Sequence, residues 1–176
     1  MSRMRSWARP KRHRFPPSPG SPGRNISLIT YTVKAGDTLK PTIPLEQFNG
    51  GRFEIEVLAP NGFYRRFSGS ANEPPAVVLV ALEERNGLPS RVLVVQLHNP
   101  TKSPQGFRVV DNSYGAAAIS RTVAPGATET IILALESSHN WYDFTVRQAN
   151  SKAVAQFSGR IEAGLPSRTD PLMGKS

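Results

Sequence analysis

Two stretches of this chain, 90 residues apart, are versions of one another. The earlier stretch spans residues 31–69 and the later one residues 121–159, and each ends with the tripeptide Phe-Ser-Gly. After a slip of one residue inside the repeat, Phe53 of the earlier stretch matches Tyr142 of the later one. A repeat of this length predicts tandem small domains, because solenoid units usually span roughly 20 to 50 residues.

Turn residues divide the earlier stretch into short runs that are typical of strands. Arg52–Val57 alternates strictly between polar and apolar residues, which predicts a strand with one buried face. Pro60-Asn61-Gly62 predicts a tight hairpin turn, because Asn-Gly tolerates the positive φ values that such turns need. Pro41 and Pro44 weaken the run before it and favour a sheet edge. The four strands predicted here are residues 27–33, 38–45, 52–57 and 63–68.

The later stretch and the residues before it contain seven predicted strands, with turns roughly every eight to twelve residues. This pattern is typical of an immunoglobulin-like β-sandwich. In the second strand, Val92, Val94 and Val95 predict burial on both faces. The strands are residues 75–82, 91–97, 106–110, 117–123, 126–135, 141–147 and 153–161. The predicted core is Val78, Leu79, Val92, Val94, Leu97, Phe107, Val109, Ile131, Leu133, Trp141, Phe144, Val146, Val154 and Phe157.

The predicted fold class is therefore all-β, with an immunoglobulin-like sandwich preceded by a partial copy of the same module. The partial copy has only the last four strands of a sandwich. Such a half-module is too small to stabilise itself alone, and it exposes unpaired strand edges. We expect residues 26–71 either to pack against the second module or to be marginally ordered. The predicted divisions are a tail at 1–25, the partial module at 26–73, the complete module at 74–165 and a C-terminal tail at 166–176.

The positive charge of the chain is concentrated at its N-terminus. The formal net charge is +9, but residues 1–24 hold seven Lys or Arg and no acid, and the remaining 15 Lys and Arg against 13 Asp and Glu leave +2. Five prolines and few apolar residues in this segment predict disorder. A basic arm can bind phosphate backbones or anionic lipid. The nearly neutral remainder makes nucleic acid an improbable partner.

No catalytic or metal-binding constellation is evident, so we expect no catalytic residue, cofactor or metal ligand. His13, His98 and His139 lack metal-ligand spacing, and the chain has no cysteine. Asp111 and Asp143 stand beside turn residues and are expected to cap turns or lie at the surface. Neither a nucleophile elbow nor a phosphate-binding glycine loop is present. The residues alone predict a non-catalytic β module.

The segment Ser137–Asp143 is the densest cluster of polar and aromatic side chains. In one interpretation Trp141 or Tyr142 fills the core and forms a hydrogen bond at its polar end. In the other, an aromatic loop that includes His139 contacts a sugar, a choline head group or a membrane interface. Tyr114, in the run Asp-Asn-Ser-Tyr-Gly, has the same two interpretations.

These segments resemble the C-terminal region of the bacterial phosphocholine-preferring phospholipases C. One position departs: Ala59 stands where the family tends to have glycine. The matching segments are His98–Thr101, Asp111–Gly115, Ser138–Asp143, Phe157–Gly164 and Pro166–Gly174, with Tyr31–Gly36, Pro60–Phe63 and Arg65–Phe67 in the earlier copy.

The resemblance implies a phosphoesterase domain followed by two copies of a small β domain. The catalytic residues of that domain have no counterpart here, so we expect a non-catalytic C-terminal fragment whose partners are the phospholipase catalytic domain and a phospholipid surface. Family members are exported, although the basic, proline-rich start has no signal-peptide pattern. The alternatives are an autonomous module that binds lipid head groups or glycans, and a small hydrolase of an unrecognised kind. An oligomeric state is not specified.

Overall fold

The computed structural model describes residues 11–14, 27–32, 42–60, 62–85, 87–162 and 168–171. The chain divides into two compact units, Met1–Ile43 and Pro44–Ser176. In the first unit, strand β1 (Lys11–Arg14) pairs antiparallel with β2 (Ser27–Thr30). The prediction of disorder is therefore wrong for β1, whose backbone pairs with that of β2. The rest of the N-terminal tail lies outside the described residues.

Nine strands are described in the second unit, after two short 3-10 turns at Leu45–Gln47 and Asn49–Gly51. The strand predicted at 38–45 is wrong for its described residues, 42–45, because residues 42–44 are irregular and Leu45 begins a turn. In this turn Gln47 N–H donates to the Pro44 carbonyl at 3.1 Å. The strands are β3 Arg52–Leu58, β4 Tyr64–Ser70, β5 Val77–Arg85, β6 Leu88–His98, β7 Gln105–Asp111, β8 Ile119–Val123, β9 Thr128–Ala134, β10 Trp141–Gln148 and β11 Val154–Arg160.

These strands form two antiparallel sheets that make a sandwich. The larger sheet has the order β3-β4-β11-β10-β7-β8 and the smaller one β5-β6-β9. The last seven strands supply both layers of the predicted sandwich, so the all-β sandwich prediction is confirmed. In the described part of the chain, no helix is long and apolar enough to cross a membrane.

The core lies between the two sheets, and most of the predicted core residues are in it. Leu97, Phe107, Val109, Ile131, Phe144, Val146 and Phe157 are buried, and Val78 and Leu133 pack against them. Six other buried hydrophobic residues in the described part are not in the predicted core list: Leu93, Val95, Val123, Leu135, Tyr142 and Ile161. Trp141 and Val154, which were predicted, are only half-buried.

The predicted core residues of β5 and β6 were partly assigned to the wrong face. Leu93 and Val95 are at most 1% exposed, whereas Val92 and Val94 are half-buried. Because side chains alternate along a strand, Val94 and Leu97 cannot face the same side. Leu79, another predicted core residue, is 56% exposed.

The side of the smaller sheet that faces away from the core has an apolar region, bordered by the cross-strand partners Gln96 and Thr130. Val94 is the cross-strand partner of both Ala81 and Ile132, and Val92 is the partner of Ala134. Cross-strand partners point to the same side of a sheet, so these side chains form one surface. Burial of β6 on both faces, which the sequence predicted, is therefore wrong for this chain alone. We call this surface the outer apolar face: Leu79, Ala81, Val92, Val94, Ile132 and Ala134.

The internal repeat corresponds to two similar hairpins, β3–β4 and β10–β11. Phe53 is the cross-strand partner of Gly69 in the first, and Tyr142 is the partner of Gly159 in the second. A Cβ atom on Gly69 would lie 3.1 Å from Phe53 Cζ, and one on Gly159 would lie 2.9 Å from Tyr142 Oη. Each hairpin thus packs an aromatic ring over a glycine. This packing explains why Phe-Ser-Gly recurs 90 residues later.

The first hairpin adds to the sheet of the second module, because β4 pairs antiparallel with β11. Phe67 of β4 packs edge-on against Phe157 of β11, with ring centroids 5.8 Å apart and an interplanar angle of 85°. Of the two outcomes expected for the partial copy, packing against the second module is confirmed for the hairpin β3–β4. The residues at 33–41 lie outside the described part.

Candidate functional site

The turn after β7 is held by one carboxylate. Asp111 Oδ1 accepts from the backbone N–H groups of Ser113 and Tyr114 at 2.9 Å, and its Oδ2 accepts from Ala116 N–H at 2.9 Å. Gly115 supplies the positive φ of 79° that the turn needs. The predicted turn-capping role of Asp111 is confirmed, and the turn places the Tyr114 ring beside the end of β10.

Asp143 of β10 is hydrogen-bonded to the same turn. Its Oδ1 accepts from Asn112 Nδ2 at 2.8 Å and Gln156 Nε2 at 3.0 Å, and its Oδ2 accepts from Ser113 Oγ at 2.9 Å. These bonds give Asp143 a structural role, because they join the turn to strands β10 and β11. No group of three or more metal-ligating side chains occurs among the described residues.

The loop before β10 sets the direction of the next aromatic pair. Ser138 is buried, and its Oγ lies 3.1 Å from the Leu135 carbonyl and 2.6 Å from the Trp141 carbonyl. His139 and Asn140 both have positive φ, at 55° and 71°. This left-handed pair closes the loop, so that β10 begins at Trp141 with Tyr142 directed into the core.

A cavity of about 290 Å³ opens between the ends of the two sheets. Tyr114, Trp141 and Tyr142 all line it, so the structure brings together three of the four candidate residues. His139 is not part of the lining and is exposed. Asp111 and Asp143 also line the cavity, and apolar residues of β9 close its other side. We call this cavity the aromatic cleft.

The C-terminal residues 168–171 lie beside the aromatic cleft. Trp141 Nε1 donates to the Arg168 carbonyl at 3.1 Å, and the Tyr114 hydroxyl donates to Asp170 Oδ1 at 3.3 Å. Burial raises the pKa of Tyr114 first, and the negative charges of Asp170, Asp143 and Asp111 raise it further. Three carboxylates therefore lie near the Tyr114 hydroxyl, while the Arg160 guanidinium lies 5.9 Å from the centre of the Trp141 ring. Aromatic faces near carboxylates suit an organic cation.

Tyr142 occupies the core and forms a hydrogen bond at its polar end, as one interpretation of the sequence predicted. Its Oη accepts from Arg65 Nη2 at 2.8 Å. Arg65 also donates through Nη1 to the carbonyls of Tyr64 and Ser158 at 2.8 and 2.7 Å, and its guanidinium lies 4.0 Å from the centre of the Phe63 ring. Arg65 of the first hairpin is thus built into the second module.

Sequence reasoning did not identify Arg65 or Asn99 as individual residues with a role. Asn99 is 0% exposed, and its Nδ2 donates to the Ser103 and Val123 carbonyls at 2.8 and 3.0 Å. Its Oδ1 accepts from Thr101 N–H and Oγ1 at 3.0 and 2.7 Å. The available signals were the matches at His98–Thr101 and Arg65–Phe67, which marked segments without giving a role.

Comparison with known proteins places these residues in a described family. The family model for the C-terminal domain of bacterial phospholipase C matches residues 20–70 and 75–160, which is more than half of the chain.

Curated relatives agree with this family match. A non-hemolytic phospholipase C of Pseudomonas aeruginosa is 36% identical over 159 residues, covering 82% of this chain and 21% of the relative. A hemolytic phospholipase C of the same organism is 30% identical over 167 residues, covering 88% and 22%. A non-hemolytic phospholipase C of Burkholderia pseudomallei is 30% identical over 128 residues, covering 69% and 18%. The chain spans about a fifth of the length of these relatives. It therefore belongs to the family of the bacterial phospholipase C C-terminal domain.

Proposed function

We propose that this chain acts as the non-catalytic accessory region of a phospholipase C and packs against the rest of that enzyme. The family match and the share of each relative that the chain spans support the accessory role. The observation that supports the packing role most strongly is the outer apolar face.

The proposed modules follow the two family matches. We place a partial module at 26–73, which includes the hairpin β3–β4, and a complete module at 74–165. The matches at residues 20–70 and 75–160 support this division, because the first is shorter than the second. The proposed tails are residues 1–25 and 166–176.

The outer apolar face has the composition of a protein interface. An antiparallel sheet that has one face in water usually alternates apolar and polar residues, but β6 has valines on both sides. Leu79 and Ile132 are each 56% exposed. Membrane-binding surfaces combine apolar residues with Trp, Tyr, Lys or Arg, but neither the six residues of this face nor their cross-strand neighbours Gln96 and Thr130 are of these types. A protein domain is therefore the proposed occupant of the face.

A chimera tests the packing role. This chain would replace the matched region of the P. aeruginosa non-hemolytic phospholipase C, with Ile132→Lys on the outer apolar face and Thr122→Lys as the control at an exposed position of β8. We expect Ile132→Lys to leave the melting temperature of the isolated chain unchanged and to lower that of the chimera by several degrees. Equal effects of the two substitutions on the chimera would contradict the proposal. The isolated chain should not hydrolyse p-nitrophenylphosphorylcholine, and measurable turnover would contradict the accessory role.

The aromatic cleft favours a second candidate function, the binding of a cationic lipid head group. Three aromatic residues line the cleft, and the carboxylates of Asp111, Asp143 and Asp170 lie near Tyr114; quaternary ammonium groups bind aromatic sites of this kind. Tyr114, Trp141 and Tyr142 would contact the ligand, and the exposed His139 would contact it only from outside the cleft. In a Trp7→Phe variant, titration with choline should quench Trp141 fluorescence, whereas the neutral isostere 3,3-dimethylbutan-1-ol should not. Equal responses to both compounds would count against this function.

A further inference from the structure

Strand β3 occupies in its hairpin the position that β10 occupies in the other. Phe53 faces Gly69 as Tyr142 faces Gly159, and Ile55 faces Phe67 as Phe144 faces Phe157. The registers of the two hairpins are therefore the same. Each residue of β3 has an equivalent on β10 that lies 89 positions later.

The two strands differ in how many partners they have. β10 pairs with β11 on one side and with β7 on the other, whereas β3 pairs with β4 and forms the end of its sheet within the described residues. Val146 of β10 faces Val109 of β7 and is 3% exposed. Its equivalent on β3, Val57, is 43% exposed. Among the described residues, no strand flanks Val57 as β7 flanks Val146.

The junction between the two hairpins preserves the symmetry of the repeat. Arg66 pairs with Gln156, its own equivalent at the 90-residue offset. On either side of this pair, Phe67 pairs with Ala155, the equivalent of Arg65, and Arg65 pairs with Phe157, the equivalent of Phe67. This arrangement places β4 and β11 about a local two-fold axis. The hairpin β3–β4 therefore has the ladder geometry of a complete module, and the outer edge of β3 corresponds to the edge of β10 that binds β7.

We propose that the outer edge of β3 binds an extended strand of the β7 type, contributed by another copy of the family's β domain. The added strand runs antiparallel to β3 and sets a residue equivalent to Val109 opposite Val57. Backbone hydrogen bonds supply affinity, as in other cases of strand addition to a sheet edge. This inference is independent of the outer apolar face and of the aromatic cleft.

The chemistry of β3 favours such a strand over a second copy of β3 itself. Two β3 strands paired antiparallel about Ile55 would set Glu54 opposite Glu56, and like charges in opposite positions are destabilising. The chain's own β7 is not available, because it already pairs with β10 and β8. The partner is therefore a β domain whose β7-type strand has a free edge.

A synthetic peptide with the sequence of residues 104–112 is the probe, used with the full chain. We expect one peptide to bind per chain in native mass spectrometry, and hydrogen exchange of β3 to slow by about fivefold or more while β5 is unchanged. A peptide with serine at the positions of Phe107 and Val109 is the matched control and should bind more weakly. Absence of binding at millimolar peptide, or slower exchange at β5 instead of β3, would overturn the proposal.

Val57→Lys tests the register, with Val77→Lys on the edge strand β5 as its control. Both valines are about equally exposed, at 43% and 39%, so both variants should fold. We expect Val57→Lys to weaken peptide binding roughly fivefold, because it removes one apolar cross-strand pair, and Val77→Lys to leave it unchanged. Equal weakening by both substitutions, or no weakening by Val57→Lys, would contradict the proposed register.

Discussion

Replacing Arg65 with alanine should separate the first hairpin energetically from the second module. The substitution removes three hydrogen bonds, to Tyr142 Oη and to the carbonyls of Tyr64 and Ser158, at 2.7 to 2.8 Å. It also removes the guanidinium from above the Phe63 ring. Of these contacts, the bonds to Tyr142 and Ser158 connect the two copies of the repeat.

The expected loss of stability follows from these contacts. Hydrogen bonds to a charged group contribute about 1.5–3 kcal/mol each. Arg65 is only partly buried, so water can replace these hydrogen bonds in part and each contributes less than that. We therefore take about 1 kcal/mol for each of the two bonds between the copies, and about 1 kcal/mol for the cation–π contact. The total, about 3 kcal/mol, corresponds to a fall in melting temperature of about 9 °C for a domain of this size.

Thermal unfolding followed by circular dichroism measures this effect, with Arg66→Ala as the matched control. Arg66 is the next residue on the same strand, but its side chain is 41% exposed and its ion pair with Glu54, at 2.6 Å, lies on the surface. Surface ion pairs contribute roughly 0–1 kcal/mol. If the two variants melted within about 2 °C of each other, the contacts of Arg65 would not hold the hairpin as argued here.

Three further changes have expected outcomes. Gly159→Ala should lower the free energy of unfolding by about 2 kcal/mol, because its Cβ would lie 2.9 Å from Tyr142 Oη. Measured by urea unfolding, this loss should exceed the loss caused by Gly126→Ala, whose Cβ would meet no atom within 4 Å. Asn99→Ala should lower the free energy of unfolding by about 3 kcal/mol, because it leaves buried backbone carbonyls without a donor. A loss below about 1 kcal/mol in calorimetry would contradict this role of the Asn99 hydrogen bonds. The pKa of Tyr114 is raised in the folded state, so the stabilising effect of its protonated hydroxyl is complete below about pH 10 and is lost as the pH rises above that. Above pH 10 the free energy of unfolding of the unsubstituted chain should therefore fall more steeply than that of Tyr114→Phe. Parallel curves of unfolding free energy against pH for the two proteins would contradict this.

Local patterns in the sequence were sufficient to predict strands β2 to β11, whereas β1 lies in a segment predicted to be disordered, and the strand predicted at 38–45 is wrong where it is described. Alternation in Arg52–Val57 and the Asn-Gly turn after it gave the hairpin β3–β4, and the later runs gave the sandwich. The errors in the core arose where both faces of a strand are apolar. In β6 the valines at 92 and 94 are as apolar as their neighbours, so composition could not assign the inward face, which is set by pairing with β9.

The contacts between distant segments could not be predicted from local patterns. Pairing of β4 with β11 joins residues about 90 positions apart, and the bond between Arg65 and Tyr142 depends on it. In the aromatic cleft, Tyr114 and Trp141 were recognised singly, but only the Asp111 turn brings both to one cavity. His139 was grouped with them through sequence proximity, and the loop directs it elsewhere.

Native-state hydrogen exchange tests most directly whether the hairpin and the second module form one folded unit. We predict that the amides of β4, which pairs on both sides, open with the same free energy as those of β10 and β11. The amides at the outer edge of β3 should exchange faster, because that edge has no partner strand in the described chain. If β4 exchanged several orders of magnitude faster than β10 and β11, the hairpin would unfold separately, and the integration of the two copies would be contradicted.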